Sequence, residues 1–222
     1  MKKVMLMLFV ALLSIATISA QEFKVGVKAG FNASNVTNLP SLTLPGSTDN
    51  SNFYLPGFQV GIMAQYLLTP QFGIESGLYY SQMGFKQEYS FSGGKVSLSA
   101  NPSYLQLPVT ILYKFEVGPG LFLYPQAGGY LGYGLVGKRK FTNKSNISIP
   151  GINLETLVEG DYFNEHTNRF DAGLTFGLNI QYSKVVIGVG YDLGLLKVNK
   201  ESIANMKDLK NANVKVTLGY FF

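Results

Sequence analysis

The sequence predicts an all-β protein, an eight-stranded antiparallel transmembrane up-and-down β-barrel. Three observations carry that expectation. Apolar and polar residues alternate with a period of two along most of the chain, which puts them on opposite faces of strands. Short turns alternate with longer polar connections. Each stretch also keeps a Leu/Val/Ile/Phe face against a face of Gly, Gln, Thr, Asn and a few charges. A soluble barrel would turn its apolar face inward. The polar set here cannot make a dry core, so the apolar face is expected to point outward into hydrocarbon. A ring closed on itself then pairs every backbone polar group.

The first element is not a strand. Met1-Lys2-Lys3, the apolar run from Val4 to Ile18 and the small residues Ser19-Ala20 read as a secretory signal peptide over residues 1–20, leaving 21–222 as the barrel domain. The alternative is a membrane anchor, but a spanning helix needs about 20 apolar residues. This run is shorter and leads straight into strand-like sequence.

The first expected strand is Phe23 to Phe31, with Phe23, Val25, Val27, Ala29 and Phe31 opposite Lys24, Gly26, Lys28 and Gly30. The second is Phe58 to Leu68, and Thr69-Pro70 turns it into the third, Phe72 to near Tyr89. The fourth runs from near Val96 to Phe115, and Gly118-Pro119-Gly120 turns it into the fifth, Leu121 to near Lys140. The sixth, Phe170 to Tyr182, is the clearest, since every even position is apolar and every odd one is polar or glycine. Only Ser183-Lys184 separates it from the seventh, Val185 to Leu195, which marks a tight hairpin. The eighth is Asn213 to Phe222.

Loops 34–53 and 141–168 are long and polar, while 90–95 and 197–211 are intermediate. Short turns on one side and longer loops on the other are the asymmetry of bacterial outer-membrane barrels. Tyr66, Phe72, Tyr113, Phe115, Tyr182, Tyr220 and Phe222 gather near the short-turn ends, where an aromatic girdle would sit.

Composition removes other classes. The chain has no Cys, so thiol and disulfide chemistry is absent. Its net charge of +5 includes Lys2 and Lys3 of the signal segment, too little to argue for nucleic acid.

Three stretches carry a family resemblance. They are Lys24-Val-Gly-Val-Lys-Ala-Gly-Phe-Asn32, then Gly57-Phe-Gln-Val-Gly61 with Phe72-Gly-Ile-Glu-Ser-Gly-Leu-Tyr-Tyr-Ser-Gln-Met-Gly84, and Tyr104-Leu-Gln-Leu-Pro-Val109. Together they resemble the Bacteroidetes-type outer-membrane β-barrel family that includes PorT-like proteins. In that family the last motif is commonly Tyr-Leu-Glu-Ile-Pro, from which Gln106 and Leu107 depart. The resemblance implies one barrel inserted into the outer membrane from the periplasm. It also implies that Val216, Leu218, Tyr220 and Phe222 are the signal read by the barrel assembly machinery.

Few residues suggest chemistry. His166 with Asp161 and Glu165 in the 141–168 loop has the composition of a metal or hydrolase cluster, but a lone His in a polar loop reads as a surface residue. The run Gly188 to Gly194 has the wrong spacing for a dinucleotide loop and no following helix. Its glycines read instead as a lumen row that leaves room for Tyr124 and Tyr130. No catalytic residue, cofactor or metal is expected.

Lys24, Lys28, Glu75, Lys114, Asp171, Asp192 and Lys215 all fall on the lumen face. A hairpin centred near 203–204 sets Asp192 opposite Lys215, with Lys28 arriving from the first strand, so a Lys28/Asp192/Lys215 cluster is expected to plug the lumen. Lys138, Arg139 and Lys140, with Lys144 behind them, sit where the fifth strand leaves the membrane. They read either as a clamp on lipopolysaccharide phosphates or as a generic basic rim.

The functional expectation is a monomeric barrel with a largely plugged lumen, acting structurally or by surface interaction through its outer loops. Two alternatives remain beside it. One is transport of a small or apolar solute, through a narrow channel or a lateral opening near Pro102, Pro108 or Pro125, where a backbone donor is missing. The other is an accessory role in protein secretion with envelope partners, which rests on the family resemblance.

Overall fold

Alternating side chains produce a sheet that closes on itself. The computed structural model describes residues 22–37, 47–91, 94–143, 160–200 and 208–222, so the expected signal segment lies outside the described residues. The strands are β1 (Glu22–Thr37), β2 (Ser47–Leu67), β3 (Phe72–Gln82), β4 (Phe85–Phe91), β5 (Gly94–Tyr113), β6 (Phe115–Gly118), β7 (Leu121–Asn143), β8 (Gly160–Asp161), β9 (Phe170–Tyr182), β10 (Val185–Gly194) and β11 (Lys210–Phe221). All pairings are antiparallel.

Around the ring β1 pairs β2, β2 pairs β3 and β4, both pair β5, and β5 pairs β7. Then β7 pairs β9, β9 pairs β10, β10 pairs β11, and β11 returns to β1. Because β4 continues β3 past Met83-Gly84 and β6 continues β5 past Lys114, the ring has eight staves, with β8 appended to β7.

The apolar face is outside. Val27, Phe31, Val60, Ile62, Ile111, Leu131, Ile180, Ile187 and Leu218 are all exposed, whereas Gln59, Gln65, Thr110, Asn179, Gln181 and Thr217 are buried. Exposed aliphatic rows of this extent suit hydrocarbon and not water. Tyr113 stacks near Phe115 (centroids 4.8 Å) and Tyr220 near Phe222 (6.1 Å) at the short-turn rim.

Several connections are shorter than the sequence suggested. β1 runs to Thr37 and β2 begins at Ser47, so much of the expected 34–53 loop is strand. β7 likewise continues to Asn143. A tilted stave needs only about 9–11 residues to cross a bilayer. β2, β5 and β7 have 21, 20 and 23 residues and rise well beyond it. Their outer halves, with β4, form a wall on the long-loop side that alternation alone does not separate from the membrane portion.

Candidate functional site

The lumen is filled in layers, each set by the inward residues of several strands. Nearest the short turns, Met63, Leu67, Tyr79, Leu112, Tyr124, Val186 and Phe221 pack into an apolar layer. Lys114 lies beside it, its Nζ donating to Gln181 Oε1 at 2.8 Å and facing the rings of Phe122 and Tyr124.

Two ion pairs occupy the middle. Lys28 Nζ meets Glu75 Oε1 at 2.5 Å, and Gln65 Nε2 donates to the other Glu75 oxygen at 3.1 Å. Lys215 Nζ meets Asp192 Oδ1 at 2.6 Å, and that carboxylate also accepts from Thr175 Oγ1, Asn213 Nδ2 and Gln106 Nε2. A space of about 30 Å³ remains between the two pairs, lined by both lysines, Gln59, Gln106, Gln126 and Asn179. That is room for one or two waters.

The expected three-residue cluster is therefore divided. Lys28 pairs with Glu75 and not with Asp192. The register also differs, since Asp192 faces Asn213, Gly190 faces Lys215, and Lys28 faces Gly219. Lys215 reaches Asp192 diagonally, its alkyl chain lying in the space that Gly190 leaves open. Asn179 and Thr217 take the space at Gly188, while Tyr130 packs against Gly173, so the glycine row is filled mainly by polar neighbours. Lys24 stays at the rim on Glu22 (2.8 Å). Asp171 is buried without a basic partner among the described residues, accepting from Tyr130 Oη at 3.1 Å and Asn211 Nδ2 at 2.9 Å.

The third layer was not foreseen. Tyr162 and Phe163, from the connection between β7 and β9, turn inward and pack on Met83, Ala100, Tyr104 and Val198. Tyr162 N donates to Gly137 O (2.8 Å), and Arg169 lies over the Phe163 ring (5.0 Å) while donating to the carbonyls of Gly134 and Leu135. Phe163 fits because Gly134 has no side chain, and a Cβ there would collide with the ring. Asn168 N on Val198 O and Lys200 N on His166 O tie this turn to the connection before β11. The adjacent aromatic pair in a polar loop was the one signal available in the sequence. Burial holds the Tyr162 hydroxyl well above the ordinary tyrosine range.

His166 Nε2 lies 3.4 Å from Glu165 Oε1 and both are exposed. Among the described residues no three His, Cys, Asp or Glu side chains gather to hold a metal.

Strand alternation divides Lys138-Arg139-Lys140. Lys138 and Lys140 are exposed, whereas Arg139 is half-buried with an Nε that has no hydrogen-bond partner. Lys144 lies outside the described residues. At the C-terminus Val216, Leu218, Tyr220 and Phe222 form one exposed row.

All three prolines are paired without a break on one side, Pro102 and Pro108 with β7 and Pro125 with β9, and face a gap on the other, Pro102 where the chain passes from β3 to β4 and Pro125 where it passes from β5 to β6. Opposite Pro108 the β3–β5 ladder steps from Ser76↔Val109 to Tyr79↔Gln106, omitting two residue pairs. Ser76 Oγ donates to the Pro108 carbonyl at 2.8 Å. Since the N–H and C=O of one strand residue point to the same neighbour, the missing donor of Pro108 also faces β3, which explains the break.

A closed antiparallel ring with a lipid-facing apolar exterior and a packed polar interior defines an outer-membrane β-barrel protein. The chain belongs to the outer membrane protein beta-barrel domain family, whose model matches residues 19–199. Its place is therefore the outer membrane.

The chain is also similar to solved structures. The attachment invasion locus protein Ail of Yersinia pestis is 15% identical, with a TM-score of 0.43 over 90% of this chain and 99% of that one. The outer membrane protein OprG of Pseudomonas aeruginosa is 14% identical, with a TM-score of 0.43 over 91% and 96%. Neisserial surface protein A is 10% identical, with a TM-score of 0.43 over 92% and 100%. No curated protein matches the chain.

Proposed function

We propose that this protein is a closed barrel that works from its outer end, as a structural or surface-interaction protein, and not by passing solute along its axis. The supporting observation is the three-layer filling of the lumen, with about 30 Å³ left between the ion pairs and Tyr162 and Phe163 closing the mouth. The reading includes no catalytic step. Planar-bilayer conductance of the refolded barrel tests it, after heat-modifiable gel migration has established folding. A folded but silent barrel supports the reading, and reproducible open-channel steps overturn it.

One feature favours a second reading, sideways passage of a small apolar solute through the wall. It is the interrupted ladder at Pro108, where the central space reaches Ser76 and Pro108. Uptake of an apolar solute into liposomes bearing the protein, lost on Pro108→Val, would bring that reading forward. The likeness to PorT-like proteins rests on its three motifs. Copurification of envelope proteins is the measurement that would advance a secretion role.

A further inference from the structure

The outer wall above the apolar belt carries a basic recess. Leu135 is an extra residue on β7, because Tyr104 faces Gly134 and Ser103 faces Val136. Such a bulge resets the alternation. Beyond it Val136, Lys138 and Lys140 point outward and Arg139 points inward. Lys138 then faces Asn101 on β5, and Lys140 faces Ser99. Ser99 in turn faces Lys86 on β4, whose ammonium is held by Glu88 at 2.6 Å.

Lys138 and Lys140 have no such partner among the described residues. Among the described residues no carboxylate comes within 4.0 Å of either, although Asp161 is the register neighbour of Lys138 across β8. Between and below them Ser99, Asn101 and Gln82 complete a recess of about 450 Å³. Tyr80 forms its lower edge, its hydroxyl bonded to Ser103 Oγ at 2.7 Å. Immediately below lie the exposed Leu105, Leu131 and Tyr133 of the apolar belt.

From this placement we infer that the recess binds the phosphorylated headgroup of an outer-leaflet lipid through Lys138 and Lys140, with Ser99 and Asn101 completing the hydrogen bonds. Two ammonium groups supply six N–H donors and no acceptor, which suits phosphate oxygens. The position selects a lipid over a soluble anion. The recess opens where the wall changes from aliphatic to polar, the level at which headgroups lie and aromatic side chains anchor. Acyl chains attached to a phosphate held there would descend over Leu105 and Leu131. The inference does not depend on whether the lumen conducts.

The test titrates lipid A, a phosphorylated outer-leaflet lipid, into the detergent-solubilised full barrel and counts adducts by native mass spectrometry. Wild type should retain lipid A, and the double variant Lys138→Gln/Lys140→Gln should bind at least about tenfold more weakly, the loss of roughly one charge-assisted contact. Arg139→Gln, altered on the inner face, should bind as wild type. Unchanged heat-modifiable migration of each variant excludes misfolding. Equal binding by the double variant, or equal loss in Arg139→Gln, overturns the inference. Full displacement of lipid A by millimolar inorganic phosphate also overturns it, because the site would then be one for a free anion.

Discussion

Lys28 on β1 reaches past β2 to pair with Glu75 on β3, Nζ to Oε1 at 2.5 Å, and both side chains are buried. Taking charges out of water is costly unless each finds a partner. Lys28 is therefore replaceable only together with Glu75. Lys28→Met alone should cost about 3–5 kcal/mol, and Lys28→Met/Glu75→Leu much less. With no Trp in the chain, urea titration read by heat-modifiable gel migration is the suitable measure. Equal losses in the single and double variants would show that the pair is not coupled.

Lys28, Glu75, Asp192 and Lys215 form two pairs and not one cluster. In double-mutant cycles the coupling of Asp192 with Lys215 should exceed that of Asp192 with Lys28 by at least about 1 kcal/mol. Comparable couplings would restore the single cluster that sequence reasoning anticipated.

Phe163 packs between Tyr104, Tyr162 and the Arg169 guanidinium, the contacts that the proposed closure of the mouth rests on. Phe163→Ala should weaken this closure by about 3 kcal/mol, raising the open fraction roughly a hundredfold. Exchange of the Tyr162 amide, which donates to Gly137 O at 2.8 Å, should then speed up by about that factor in the variant. Equal exchange would place the closure elsewhere.

The same closure should be sensitive to alkali. Tyr162 is kept neutral by burial and ionises in the closed state only well above its ordinary range. In the open state it ionises near about 10. The open state therefore loses the proton first, and closure is fully present below about pH 10 and lost as pH rises beyond it. The protection of the residue-162 amide against exchange as a function of pH, compared between wild type and Tyr162→Phe, checks this. The variant should show the shallower decline.

Pro108→Val supplies the backbone donor that faces β3. It should extend the β3–β5 ladder and slow amide exchange at Gly77, the residue opposite position 108, adding about 1 kcal/mol of stability for one more hydrogen bond. Unchanged exchange at Gly77 would mean that something other than the missing donor breaks the ladder.

The sequence by itself determined the faces, the staves and the closed ring. Period two is a local property of a strand, and an apolar face opposite Gln, Thr and Asn has one environment that satisfies both. Phe170 to Tyr182 was legible to the residue, as was the two-residue hairpin after it. The placement of Glu75, Asp192 and Lys215 in the lumen was equally readable.

Tertiary structure alone decided which of those charges meet. Lys28 and Glu75 lie on staves that are not neighbours, and Lys215 reaches Asp192 past the side-chain-free Gly190, so stagger around the ring and vacant positions choose the partners. The inward turn of Tyr162 and Phe163 depends on the vacancy at Gly134, a place two staves' geometry creates and no local pattern records. Likewise one extra residue, Leu135, decided that Lys138 and Lys140 share the outer face without Arg139. A bulge shifts every later side chain to the opposite face, and only the pairing of β7 with β5 reveals where it falls.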